Sequence, residues 1–429
     1  MTDTNTLPGE STGHIRARPA SATAALTGFV GIIAALAAIV LARDWLQPTW
    51  LKTLAVFAAA AAAMILVDVV IYRTHRRAGT GLGHIALRPF DAQRVAQKLL
   101  GLWLTIGVVA LAYAAFPEYA KPFYTPFKQA ALWCLPALLV VSPFYIAHVD
   151  RHQRDPADAY AQLGGLCFGH RPGSWRPLRV HALGWLVKAF FLPLMFTYAN
   201  ISLAALWSRP LTPPADFAQV FSLTIELLFL LDVLLAAIAY ALTLRIIDTH
   251  IRSVEPTIAG WVVCLAFYTP FNDALGQYLS HDQDQLYWGE VFAPWPALYV
   301  AWGSAILVLI AIYLWATAAF GLRFSNLTHR GIITNGPYRW VKHPAYLCKN
   351  LSWWLISVPF IAGAGWPVAL QSCALLAGTN LLYYLRARTE ERHLRADPVY
   401  REYEAWMAQH GLFARLAARL GGNAVRAAA

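Results

Sequence analysis

Ten long runs of apolar residues, most closed by polar or charged ones, limit what this 429-residue chain can fold into. They cover residues 23–43, 50–73, 99–116, 127–148, 183–207, 217–244, 258–271, 296–320, 351–362 and 367–385. A helix needs about 20 apolar residues to cross roughly 30 Å of hydrocarbon, and only helices and closed barrels satisfy their own backbone there. The runs are contiguous rather than alternating, so the expected fold class is an all-α polytopic integral membrane protein with about ten transmembrane helices. The seventh and ninth runs are short enough to be re-entrant or tightly paired. A composition of 58% hydrophobic and 13% charged residues excludes an ordinary soluble domain. The polar segment 1–22 carries no cleavable-leader pattern, so the first run is expected to stay as an anchor.

Charge in the loops sets an expected orientation. Arg73, Arg76, Arg77, Arg88, Arg94 and Lys98 crowd one loop, and Arg151, Arg154, Arg171, Arg176 and Arg179 another. Arg245 and Arg252 mark a third, and Arg323, Arg330, Arg339 and Lys342 a fourth. The loops between them are poor in Lys and Arg, and 272–290 has none while carrying Asp273, Asp282, Asp284 and Glu290. This alternation predicts both termini in the cytoplasm, as in a bacterial inner membrane. The net charge of +11 then reads as a topology signal with attraction to anionic lipid, not as nucleic-acid binding. The cysteines Cys134, Cys167, Cys264, Cys348 and Cys373 stand apart from one another, in neither a metal-type pair nor a disulfide framework.

Two stretches stand out. In 328–354, Gly336-Pro337 and Pro344 break the chain twice. Between and around the breaks sit Tyr338, Arg339, Trp340, Lys342, His343 and Tyr346. An interfacial belt would also hold Tyr, Trp, Arg and Lys, but it does not account for a His-Pro pair set between aromatics and chain breaks. In 383–403, Arg386 and Glu390 are four apart on one helical face, able to pair or to grip a polar ligand together. Alone, that cluster reads better as a snorkelling helix end.

Together the two stretches resemble the isoprenylcysteine carboxyl methyltransferase family, part of a wider group that includes phospholipid N-methyltransferases. The carrying residues are Gly336-Pro337-Tyr338, Lys342-His343-Pro344-Ala345-Tyr346, then after a hairpin Arg386, Glu390-Glu391 and Leu394, and finally Tyr400 and Tyr403. The resemblance covers roughly 295–406. Lys342 stands where the family usually has Arg, and Cys348-Lys349-Asn350 replaces a commoner run of small residues at the start of the hairpin. The implied division is a polar tail over 1–22, a helical region over 23–294 and a methyltransferase-like membrane domain over 295–429.

The resemblance implies S-adenosylmethionine as methyl donor and a lipid-like or lipidated substrate. It implies that Tyr338 or Tyr346 stacks on the adenine. His343 and the backbone of Arg330, Gly331, Ile332, Ile333, Pro344 and Ala345 would hold the ribose and methionine end. Glu390 would be the acidic cofactor contact and Arg386 the contact to a substrate carboxylate. Transfer to a carboxylate removes no proton; an amine acceptor would need a base, for which Glu391 and His393 are the candidates. Three other readings stay open: an amine or phospholipid N-methyltransferase, an NADPH-dependent sterol-type reductase using Arg386, Arg388, Arg392 and Arg395, and a transporter or scaffold.

Weaker signals lie elsewhere. Asp68, Glu226 and Asp232 fall inside apolar runs, where they are either functional or hydrogen-bonded packing residues. His148, Asp150 and His152 have helical metal-ligand spacing without a fixed further ligand, so no metal is expected. Gly79-Thr80-Gly81-Leu82-Gly83 follows no strand, which rejects a dinucleotide site.

Overall fold

Short polar residues start the helices. Asp91 caps α3 (Ala92–Ala115), accepting from the Arg94 amide at 3.0 Å, after α1 (Ala25–Leu41) and α2 (Thr49–Leu66). A short α4 (Pro117–Ala120) leads into α5 (Thr125–His152). Asp158 caps α6 (Ala159–Leu166), and α7 (Arg176–Ser208) follows. Asp216 and Thr257 cap α8 (Phe217–Ala241) and α9 (Ile258–Leu265). Such caps satisfy amides that no preceding turn can reach. α10 (Phe271–Leu279) and α11 (Trp288–Phe292) precede α12 (Pro296–Phe320). α13 (Pro344–Ser357), α14 (Trp366–Leu394) and α15 (Pro398–His410) all begin with proline at the first or second position, where a missing N–H costs nothing. α16 (Leu412–Ala427) ends the fold. The computed structural model describes residues 17–83, 88–279 and 286–427.

The protein is an all-α integral membrane protein. Among the described residues seven helical segments are long and apolar enough to span a bilayer: Thr49–Ile71, Ala92–Ala115, Pro122–His152, Arg176–Ser208, Phe217–Ala241, Pro296–Arg323 and Trp366–Leu394. The first expected run forms α1, of 17 residues. The seventh is broken into α9, a turn and the start of α10, and the ninth is only the end of the 14-residue α13. Neither forms a helix of the length set for a span. Most of the polar 1–22 segment, and Asp282 and Asp284, lie outside the described residues.

Close helix contact joins the two ends of the chain. A Cβ on Gly28 of α1 would lie 2.2 Å from the Ala318 carbonyl of α12, so only glycine permits this approach. α7 and α8 pack beside them, with Phe191 stacked on Tyr240 at 5.2 Å. Between two helix connections, Ser253–Val254 (β1) pairs antiparallel with Thr328–His329 (β2), which lays the 253–268 segment against 323–333.

The polar residues in the apolar runs resolve differently from one another. Asp68 is fully buried, accepts from Thr27 at 2.6 Å and pairs with buried Arg323 at 3.3 Å, tying α2 to the end of α12. Asp232 accepts from Tyr313 at 2.7 Å and Thr317 at 2.5 Å. Glu226 is exposed and pairs with Arg209. Asp150 faces Arg94 and Lys98 at 2.7 and 2.9 Å and is turned to those cations, not to a His148–His152 ligand set. Breaking one partner of a buried pair costs on the order of 3–5 kcal/mol because the other charge is left stranded. Asp68→Asn should therefore lower unfolding stability in detergent by about 3 kcal/mol. A loss below about 0.5 kcal/mol would mean the pair does not anchor α12.

Candidate functional site

One cavity gathers most of the residues singled out by sequence. It encloses about 1350 Å³ of empty space including its open mouth. Its walls come from α9, α12, α13, α14, α15 and the 323–333 loop.

α14 contributes Tyr383, Arg386, Glu390 and His393. Their spacing of three, four and three places them on one face. Arg386 is buried and spans two partners: its Nη2 donates to Asn326 Oδ1 at 2.8 Å and its Nε to Glu390 at 3.3 Å. Nη1 has no protein acceptor among the described residues. The guanidinium carbon also lies 5.0 Å from the Tyr346 ring centre. Glu390 accepts from the Tyr346 hydroxyl, and its second oxygen is 3.8 Å from His343 Nδ1. The His343 and Tyr346 rings lie parallel, 4° apart, with centres at 5.4 Å. The helix start at Pro344 sets this arrangement, since His343 and Tyr346 then fall within one turn.

Glu391 points elsewhere. It is buried, does not line the cavity, and takes Lys342 at 2.7 Å and His343 Nε2 at 3.2 Å. Pro344 is also absent from the lining, while Ala345 and Tyr346 are present. Tyr338 is buried against Phe320, and its carbonyl accepts from the Tyr403 hydroxyl at 2.6 Å. Burial raises its phenol well above the ordinary value, so it stays neutral.

The 330–333 loop behaves in two ways. Gly331 has φ of 118° and a Cβ there would meet Ala22 at 2.6 Å, so the chain bends close under the N-terminal segment. The Ile332 carbonyl accepts from the Ala22 amide, and Ile332 and Ile333 line the cavity. The Arg330 side chain is architectural: it donates to the carbonyls of Thr249, Ala239, Phe324 and Leu242 at 2.6–3.0 Å. Burial brings it down to about 9, still cationic near neutral pH.

Several lining residues escaped the sequence reading. Glu255, Cys264 and Tyr268 enter from outside the motif region because β1 and α9 fold back onto it. Asn326 and Tyr383 also line the cavity, and only the Arg386 contact or the helical face would have exposed them; Lys349, noted in the sequence only as a departure from the family pattern, lines it too. Four polar atoms of lining residues lack protein hydrogen bonds among the described residues: Arg323 Nε, Thr328 Oγ1, His329 Nε2 and Tyr400 Oη. His329 Nε2 lies 3.2 Å from Asp397, but burial pulls the imidazole down to about 4, so it is neutral near pH 7 and makes no ion pair there. His393 faces Ser253 at 2.9 Å and Glu255 at 4.0 Å. Arg388, Arg392 and Arg395 do not line the cavity; they meet Glu391, Thr257 and Glu404 respectively. Among the described residues no group of three His, Cys, Asp or Glu side chains is arranged to hold a metal.

Comparison with known proteins bears on the same helices. The family model for isoprenylcysteine carboxyl methyltransferase (ICMT) matches residues 299–396. No curated protein and no solved structure matches the chain. The matched span runs from α12 through the Arg386 face of α14 and leaves out the Glu255–Tyr268 wall and the Tyr400–Tyr403 rim. Over residues 299–396, less than a quarter of the chain, this membrane protein is thus similar to the isoprenylcysteine carboxyl methyltransferase family.

Proposed function

We propose that this protein transfers a methyl group from S-adenosylmethionine to a carboxylate on a lipid-like or lipidated acceptor. The observation that carries the reading is Arg386: a buried guanidinium, braced on one edge by Asn326 and Glu390, with Nη1 left for a ligand. A planar donor fork suits a carboxylate, and fixing its carrier fixes the direction in which the carboxylate points.

The cavity suits the cofactor in chemistry. S-Adenosylmethionine supplies an electrophilic methyl group on a sulfonium when bound. The hydroxyls of Thr328 and Tyr400 offer hydrogen bonds that no protein group takes up, as a ribose or amino-acid end would use them. The Tyr346 and Tyr383 rings and the Glu390 carboxylate suit a cation. Tyr338, His343, Tyr346, Glu390 and the backbone of 331–333 and 344–345 form the holding set, with Arg330 supporting that loop from behind.

Chemically, a carboxylate acceptor is already a nucleophile, so no residue has to remove a proton. The residues align the acceptor and exclude water from a pair of opposite charges. Glu391, through Lys342 and His343, is then a positioning residue. An amine acceptor would change this, because a proton must leave; His393, on the lining beside Glu255, is the group placed to take it. The reductase alternative needs several arginines for the extra phosphate of NADPH, and Arg388, Arg392 and Arg395 are committed outside the cavity.

Isothermal titration of the purified protein should register S-adenosylmethionine and not NADPH; the reverse would install the reductase reading. Tyr400→Phe and Thr328→Val each remove a hydroxyl without a protein partner, so each should weaken cofactor binding about fivefold without lowering the melting temperature. Unchanged affinity in both variants would place the cofactor elsewhere.

Arg386→Lys keeps the charge but loses the planar grip, so turnover should fall about 10²-fold or more, the scale of a small misalignment of reacting groups. Cofactor affinity should stay within about twofold, and Arg388→Lys, at an exposed site, should change turnover no more than that. An essential Arg388 with a dispensable Arg386 would reject the assignment.

A further inference from the structure

We infer that Lys349 is a second anion-binding group in this cavity, so that the acceptor is an amphiphile with two anionic groups, one held by Arg386 and one by Lys349. This rests on the carboxyl-methyltransferase reading and narrows its substrate.

Lys349 lies on α13, one turn beyond Tyr346, within the 348–350 segment where the sequence departs from the family pattern. Its ammonium lies 5.4 Å from the Trp353 ring centre, 5.8 Å from Tyr313 and 5.9 Å from Tyr383. Those rings belong to α13, α12 and α14. The Arg386 guanidinium carbon is 6.0 Å from the same Tyr383 ring. The two cations therefore flank one tyrosine and line one cavity.

The other cations on the lining have partners. Lys342 pairs with Glu391 and Glu404, Arg323 with Asp68 and Asp248, and Arg330 with four carbonyls. Among the described residues no carboxylate forms an ion pair with the Lys349 ammonium, and Asp232 acts on it only at longer range. Glu390 is already shared by Arg386, Tyr346 and His343. Asp232, beyond Tyr313, is engaged by the Tyr313 and Thr317 hydroxyls.

An ammonium enclosed by rings demands compensation, and aromatic faces supply only part of it. A lysine that merely snorkelled would carry its charge out to the headgroups. Lys349 instead holds its charge among three rings beside the acceptor-binding arginine. A monocarboxylate would satisfy Arg386 and leave Lys349 with only its aromatic neighbours and the more distant Asp232. A dicarboxylate, or a carboxylate with a nearby phosphate, would satisfy both.

The test compares an alkanoate with an alkylsuccinate of matched chain length, by isothermal titration on the detergent-solubilised full chain. Wild type should bind the alkylsuccinate about 10-fold or more tightly than the alkanoate, the scale of one charged contact. Lys349→Met, which keeps the length of the side chain, should bring the two within about twofold, and Lys349→Arg should retain the preference. Equal binding by wild type, no binding of either acid, or an unaltered preference in Lys349→Met overturns the inference. Binding is read without turnover. A preference abolished by Lys349→Met therefore upholds the anion site even when neither acid is methylated, whereas absence of methylation counts against the methyltransferase reading alone.

Discussion

Four backbone carbonyls from three separate stretches of chain converge on the guanidinium of Arg330. Ala239 and Leu242 are orphan acceptors at the end of α8, Thr249 belongs to the turn after it, and Phe324 follows α12. The end of a helix leaves such carbonyls unpaired and carries partial negative charge, so a buried cation there is doubly favoured. Because Arg330 is followed directly by Gly331, the same contact fixes where the cavity-lining loop begins. The β1–β2 pairing lies against the same stretch and brings the 253–268 segment with it. The cavity is thus hung from the N-terminal helices, although most of its chemical residues lie on the C-terminal ones.

That dependence explains which parts of the site were legible in the sequence. Tyr338, His343, Tyr346, Arg386 and Glu390 were found because their spacings are local: two chain breaks, one helical turn, and one four-residue step. Arg330 was assigned to the cofactor through its backbone, and nothing local announces that its side chain closes off a helix about ninety residues earlier. Glu255, Cys264 and Tyr268 reach the cavity only through a two-residue strand pairing, which leaves no periodic signature. Asn326 is read only from the geometry of Arg386.

The fold was legible at the level of its apolar runs and less so at their ends. The 258–271 run contains enough apolar residues for half a bilayer, yet a helix that stops at Leu265 can pack on α14 and offer Gly260 and Cys264 to the cavity. The buried acids divide on a physical basis that hydropathy does not contain. Asp68 has a cation and two threonine hydroxyls within reach, and it serves as a brace. Asp232 has hydroxyls only. Glu226 reaches water and an arginine.

Charge arrangement within the site separates orientation from attraction. Glu390 lies between Arg386 and His343, so it holds the arginine in place while reducing the net positive field beside it. A ligand carboxylate arriving at Nη1 therefore meets a directional donor more than a strong bare charge. Glu391, one residue on, is turned about 100° around the helix and binds Lys342 and His343 instead. Adjacent glutamates thus fix the two sides of the cavity: one sets the arginine that faces the acceptor, and the other sets the histidine that stacks on Tyr346. Exchanging either for its neighbour's surroundings would disturb alignment before it disturbed affinity, because each carboxylate acts through the side chain it holds.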